Sequence, residues 1–206
     1  MISWISEHWL ETFESFGAII SLGYLYLEIK QKPQMWILGF ISSFVYVFVF
    51  FKAKVYADMS LNVYYVIISI YGFILWQKEA SAVNKKKNVS DNTITCSDLS
   101  WKLGSVLLVI TVLLYILMVY VLKNYTDSPI PYQDSLITAL SITATWMLAK
   151  KIIQHWFIWI FVNIFSVYLF YTRELYPTAI LFVFYGVLSV VGYLNWKKTA
   201  NVVSKS

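Results

Sequence analysis

The sequence predicts an all-α membrane protein of seven transmembrane helices, built as two parallel three-helix repeats joined by a single linking span. Three observations carry that prediction: long uncharged apolar intervals, a self-match at a fixed offset, and a lopsided distribution of basic residues. Of 206 residues, 59% are hydrophobic, 19% aromatic and only 13% charged. A soluble domain carries about 25% charged residues. The charges are also bunched, leaving uncharged stretches at 15–27, 33–51, 59–77, 103–122, 135–149, 152–172 and 175–196. Most reach the roughly 17–25 residues that cross a bilayer as a helix.

Shifting the chain by 120 residues aligns 13–78 with 133–198 without a gap, and 15 of the 66 paired positions are identical. Chance pairing in so apolar a composition would give roughly five. Among the matches are Trp36 with Trp156, Tyr65 with Tyr185, Ser69 with Ser189, Gly72 with Gly192 and Trp76 with Trp196. Spans one to three therefore match spans five to seven. Four spans separate equivalent positions, so both units enter the membrane in the same direction and the repeat is parallel. Duplicated units built from membrane spans are a common transporter architecture, which makes transport the leading expectation.

Taken in order, the N-terminal segment has Glu7, Glu11 and Glu14 but no basic residue, the opposite of a signal-peptide start. The first repeat spans 13–78. Its first span and the equivalent fifth are short, and flanking Lys30 and Lys150 can extend them by snorkelling. Residues 79–101 read as a polar linker, and 102–123 as the linking fourth span, rich in Leu, Val and Ile and turned largely to lipid. Pro129 and Pro131 mark the loop after it, and 133–198 is the second repeat. Pro177 falls in the first turn of the seventh span, where its missing N–H costs nothing. The lone Cys96 excludes a disulfide framework within one chain. With the N-terminus outside, twelve of sixteen basic residues fall on the cytoplasmic side. The positive-inside rule then gives an N-out, C-in topology.

Positions matched between repeats are expected to be architectural. Trp36, Trp76, Trp156 and Trp196 lie near one end of their spans and read as an interfacial aromatic belt. Gly72 and Gly192, with Ser69 and Ser189, read as small residues that let helices approach closely. Tyr65 and Tyr185 fall near mid-span and need hydrogen-bond partners there.

Polar positions that break the symmetry are expected to carry specificity. Trp156, Trp159 and Asn163 share one face of the sixth span, and the last two replace Gly39 and Ser43 of the first repeat. A carboxamide at that depth must be hydrogen-bonded. Asn62, Tyr65 and Ser69 make a stripe on the third span, and Thr138, Ser141 and Thr145 another on the fifth. Converging, such stripes would line a neutral hydrogen-bonding cavity. Each alone is a weak signal, because Ser and Thr can bond their own helix backbone.

No Asp, Glu, Lys or Arg stands in the middle of any span, and proton relays or sodium sites usually need one. No phosphate-binding loop is present to run an ATP-driven pump. His155, beside Lys151, reads as solvated. No cofactor, metal site or enzymatic constellation is expected: the last span lacks a Schiff-base Lys, and no nucleophile–base pair lies at depth. Indole faces around a neutral cavity suit a delocalised cation through cation–π attraction. A sugar facilitator and a non-transporting sensor are the alternatives.

Two stretches, Leu136–Lys151 (LITALSITATWMLAKK) and Gln154–Asn163 (QHWFIWIFVN), together with the Y-G…W ending of span three, resemble the PnuC family of bacterial vitamin transporters. The resemblance covers nearly the whole chain. It implies a 3+1+3 fold like that of full-length SWEET sugar transporters and a place in the bacterial inner membrane. It also implies a homotrimer and passive uptake of nicotinamide riboside, trapped by a cytoplasmic kinase. Trp156, Trp159 and Asn163 carry over as substrate-site residues. Asn62 departs from the Gln that riboside-carrying members often have, and relatives that carry thiamine share the fold.

Overall fold

The computed structural model describes residues 20–53, 56–86, 96–126 and 128–205. These form seven helices: α1 (Ile20–Ile29), α2 (Gln34–Ala53), α3 (Tyr56–Lys86), α4 (Trp101–Tyr125), α5 (Pro131–Ala149), α6 (His155–Thr172) and α7 (Tyr176–Lys205). Four contain segments long and apolar enough to cross a membrane: Met59–Glu79, Trp101–Tyr125, His155–Thr172 and Tyr176–Ala200. Helix boundaries recur at the 120-residue offset, since α1 and α5 end at 29 and 149 and α3 and α7 begin at 56 and 176. Two of the three described left-handed residues also recur at that offset. Gln31 and Lys151, the second residue past α1 and α5, both adopt left-handed φ values of 54° and 55°. A left-handed residue there reverses the chain and caps the outgoing carbonyls. At Lys151 the amide donates to Leu148 O at 2.9 Å.

Packing follows from composition. α2 lies on α3 and α6 on α7, while α5 contacts α3, α4 and α6. α5 is the central post, with nine buried residues from Ser135 to Ala149, most of them small. α4 has Leu107 as its one buried residue, so its Leu/Val/Ile surface faces outward. Its polar tie to α5 is Thr111, whose Oγ1 meets Thr143 Oγ1 at 2.7 Å and also bonds Leu107 O.

Two expectations need correction here. The four matched tryptophans are no belt: none is more than 1% exposed. They form one quartet. Trp36 meets Trp76 edge to face at 5.7 Å and Trp156 meets Trp196 likewise at 5.8 Å, while Trp76 and Trp196 approach at 6.1 Å. Trp76 Nε1–H donates to Ala149 O and Trp196 Nε1–H to Glu28 O, both at 3.1 Å, so each repeat reaches the end of the other's first helix. Burial of the large apolar rings outweighs an interfacial position here, although only the Trp76 and Trp196 N–H groups reach a carbonyl and those of Trp36 and Trp156 are buried without an acceptor. Gly72 and Gly192 serve this quartet. Each makes room for a neighbouring indole rather than for a helix backbone, Trp36 in one case and Trp156 in the other.

Both described ends of the polar linker are tied to the helices. α3 continues to Lys86, and the segment entering α4 docks on the α5–α6 turn. Ser97 N–H donates to Lys151 O at 3.0 Å and Ile153 N–H to Ser97 O at 3.1 Å, forming one parallel bridge. Gln154 holds both Leu99 N–H and Asp98. Lys151 is buried against Glu79, to which its ammonium donates, and against the Trp76 ring. Burial pushes that ammonium's pKa down and the Glu79 carboxylate pulls it back up. Cys96 accepts from Gln31 Nε2 at 3.3 Å, and burial pushes its thiol up to about 11. From the ordinary value of 9.0, this lowers the thiolate fraction at pH 8 roughly 100-fold. Maleimide labelling of the native protein at pH 8 should therefore be about two orders slower than labelling after denaturation. Equal rates would show that the linker does not dock.

Candidate functional site

The helices enclose a cavity of about 1460 Å³ lined from both repeats. α1 contributes Tyr24 and Glu28, α2 Trp36, Gly39 and Ser43, and α3 Tyr65 and Ser69. α5 adds Thr138, Ser141 and Thr145, α6 Trp159, Asn163 and Ser166, and α7 Phe182, Tyr185 and Ser189. At one end the lining reaches Tyr125, Thr126, Ser128 and Asp134, of which Tyr125 is exposed and the others half-buried. At the other it stops on buried Trp36 and Glu28, where the quartet begins.

Eight of the ten residues singled out from the sequence line this space: Tyr65, Ser69, Thr138, Ser141, Thr145, Trp159, Asn163 and Tyr185. Asn163 Nδ2 donates to Ser189 Oγ at 3.1 Å, and Ser189 in turn donates to Tyr185 O at 2.7 Å. The carboxamide is thereby fixed on α7. Tyr65 lies beside Ser141 across the α3–α5 contact. Thr145 lines the cavity while its hydroxyl donates back to Ser141 O at 2.8 Å. Gly39 matters by its smallness: a Cβ there would lie 3.1 Å from Ser69 Oγ. At the equivalent position Trp159 lines the cavity.

Two of the ten stand apart. Trp156 shares the α6 face with Trp159 and Asn163 but is consumed by the quartet, 0% exposed and off the cavity wall. Asn62 is half-buried and off the wall as well, while Phe182, its partner in the repeat, stacks on Phe170 at 5.1 Å within the lining.

The indole N–H of Trp159 is buried and meets no acceptor. In an apolar setting such a donor costs a few kcal/mol, about 1–3 by mutational measure. It sits on a cavity wall where an oxygen of a bound molecule would satisfy it.

The cavity is not neutral, which corrects another expectation. Glu28 and Asp134 line opposite ends, and no Lys or Arg is among the described lining residues. Each carboxylate sits at the terminus of an uncharged run, so in sequence each reads as an interfacial flank. Asp134 accepts from Ser128 Oγ at 2.6 Å. Glu28 faces His155 Nε2 at 3.3 Å. His155 is therefore not solvated: it is 0% exposed, its Nδ1 lies 2.7 Å from Ile152 O, and its ring packs on Trp156 and Trp196. The Lys151 neighbour that suggested a wet site is itself buried.

Among the described residues no cluster of His, Cys, Asp and Glu could hold a metal ion. The lining offers binding groups: several aromatic rings with Trp159 among them, one fixed amide, hydroxyls from all seven helices and a carboxylate at each end.

A family model described as "Nicotinamide mononucleotide transporter" matches residues 11–198. The nicotinamide riboside transporter PnuC of Escherichia coli (strain K12) is 21% identical over 210 residues, covering 93% of this chain and 86% of that protein. The PnuC of Neisseria mucosa is 25% identical over 199 residues, covering 93% and 73%. The crystal structure of the vitamin B3 transporter PnuC superposes with a TM-score of 0.71 at 23% identity, covering 97% of this chain and 85% of that one. With the family model spanning all but the two ends of the sequence, the chain belongs to the nicotinamide mononucleotide transporter family and is a membrane transporter.

Proposed function

We propose that this transporter carries a small aromatic cation, nicotinamide riboside first, passively and by alternating access of the two repeats around the cavity. The observation that carries the reading is the wall itself. Trp159 and Asn163, whose counterparts in the first repeat are Gly39 and Ser43, line one space with two carboxylates and no described basic residue. A delocalised pyridinium is held by an indole face, and its carboxamide and ribose oxygens suit the amide, the hydroxyls and the unsatisfied Trp159 N–H. Similarity to transporters named for nicotinamide riboside supports the same choice.

Charge also decides between the riboside and the mononucleotide named by the family's description. A phosphate brings close to two negative charges at neutral pH into a space whose described charges are Glu28 and Asp134. Without a described Lys or Arg to offset it, the mononucleotide is the worse cargo.

In this reading residues 13–78 and 133–198 are the moving units, and the quartet end faces the cytoplasm, with the N-terminus outside and the C-terminus inside. The membrane is the bacterial cytoplasmic membrane. The homotrimer and the trapping kinase implied by the family resemblance belong to the same proposal. The chain itself performs no chemistry on its cargo.

Uptake into proteoliposomes with no ion gradient tests it. Nicotinamide riboside should enter to equilibrium, and the mononucleotide should not. Thiamine, also an aromatic cation, is the comparison that names the cargo, and thiamine uptake without riboside uptake reassigns it. A requirement for a proton or sodium gradient sinks the passive mechanism.

A further inference from the structure

The Glu28–His155 contact joins α1 of the first repeat to the start of α6 in the second. At the 120-residue offset, Glu28 corresponds to Leu148 and His155 to Met35. Leu148 and Met35 are both buried in the same core around the quartet. One side of the pseudo-symmetric interface therefore closes with apolar side chains, and the other places an ionisable pair in the same setting. Apolar packing of similar volume generally serves stability as well as a buried pair does. Holding the repeats together does not explain the carboxylate.

Its surroundings do. The carbonyl of Ile152 and the Glu28 carboxylate can both only accept, so His155 holds them as an N–H donor at each ring nitrogen, Nδ1 to Ile152 O at 2.7 Å and Nε2 to Glu28 Oε1 at 3.3 Å. Among the described residues, His155 is the carboxylate's one polar partner, through Oε1. Glu28 lines the cavity at its closed end, and His155 does not.

We propose that Glu28 is the cargo's counter-charge, a cavity residue that selects cations over neutral molecules of the same shape, with His155 as the positioning residue that holds its carboxylate in place. The inference rests on the cationic-cargo reading above. It adds a charge contact from the first repeat to the aromatic and amide contacts of the second, so that a bound cation touches both moving units.

The test compares binding of nicotinamide riboside with its neutral dihydropyridine form, measured calorimetrically on detergent-purified protein. Wild type should prefer the cation at least tenfold. Glu28→Gln should bind the neutral form within twofold of wild type and the cation at least tenfold more weakly, erasing the preference. The double variant Glu28→Leu/His155→Met installs the other repeat's apolar pair. It should melt like wild type and show the same loss, which separates charge recognition from folding. His155→Leu should lower the preference part-way while the carboxylate remains. A wild-type-like preference in folded Glu28→Gln or in the double variant overturns the assignment, as does wild-type protein that binds both forms equally. Wild-type protein that binds neither form overturns the proposed cargo itself.

Discussion

Gly192→Ala, and equally Gly72→Ala, is expected to be the most damaging one-carbon change in the chain. A Cβ at 192 would lie 2.3–2.6 Å from three ring carbons of Trp156, and one at 72 would lie 2.4–2.7 Å from three of Trp36. Carbon atoms pack at about 3.5–4.0 Å, so ring or helix must shift by about 1 Å. Neither has room, because each indole is buried and meets its partner indole edge to face. Overpacking of this kind costs about 3 kcal/mol, well above the roughly 1 kcal/mol that alanine gains over glycine in a helix. Thermal unfolding in detergent should show a large drop for both variants. Gly23→Ala is the control, since nothing lies within 4 Å of a Cβ there, and it should be neutral or slightly stabilising. Adding Trp156→Phe to Gly192→Ala should recover part of the loss. A Gly192→Ala protein that melts like wild type would refute the packing.

Trp159→Ala should retain the fold and lose the cargo. Trp159 touches no member of the quartet by ring contact, and its ring forms cavity wall. Removing a desolvated cation–π contact costs about 2 kcal/mol, or roughly a 30-fold loss of affinity. Asn163→Leu should weaken binding by a comparable factor while also freeing Ser189 from its 3.1 Å bond. Trp36→Ala fails in a different way. Truncating a buried Trp costs about 3–5 kcal/mol, so its lost transport should follow lost folded protein. Affinity and melting temperature measured on the same samples separate the two patterns. Similar melting losses in Trp159→Ala and Trp36→Ala would erase the distinction between wall and frame.

The seven helices were legible because charge ends each apolar run. The direction in which a side chain points within a helix was not. A tryptophan one turn from the end of a span looks the same whether it turns to lipid or inward, and only the partner helix decides. The second repeat makes that concrete: Trp156 and Trp159 share a face, yet one is frame and the other wall. The Ser, Thr and Tyr stripes were found because hydroxyls spaced by three or four on an apolar helix must converge on something. Glu28 and Asp134 escaped notice because a carboxylate that ends an apolar run is usually the mark of the water boundary. What reverses that meaning is a contact 127 residues away in the chain, at His155. The helical continuation to Lys86 and the docking of Ser97 on the α5–α6 turn depend on such long-range partners too.

The reciprocity of the quartet also bears on how such a chain could arise. Each half offers the same two rings, one indole donor and one terminal carbonyl, and receives the same from the other. An interface in which each partner gives what it takes is the kind a symmetric dimer uses. Two separate copies of a three-helix ancestor would have brought the same four rings together. Joining two such copies in the same direction would need only one extra span. Once joined, the copies were free to drift apart wherever the interface did not forbid it. Glycine could become Trp159, serine Asn163, and an apolar pair could become Glu28 and His155 without any of these changes being forced on both halves at once.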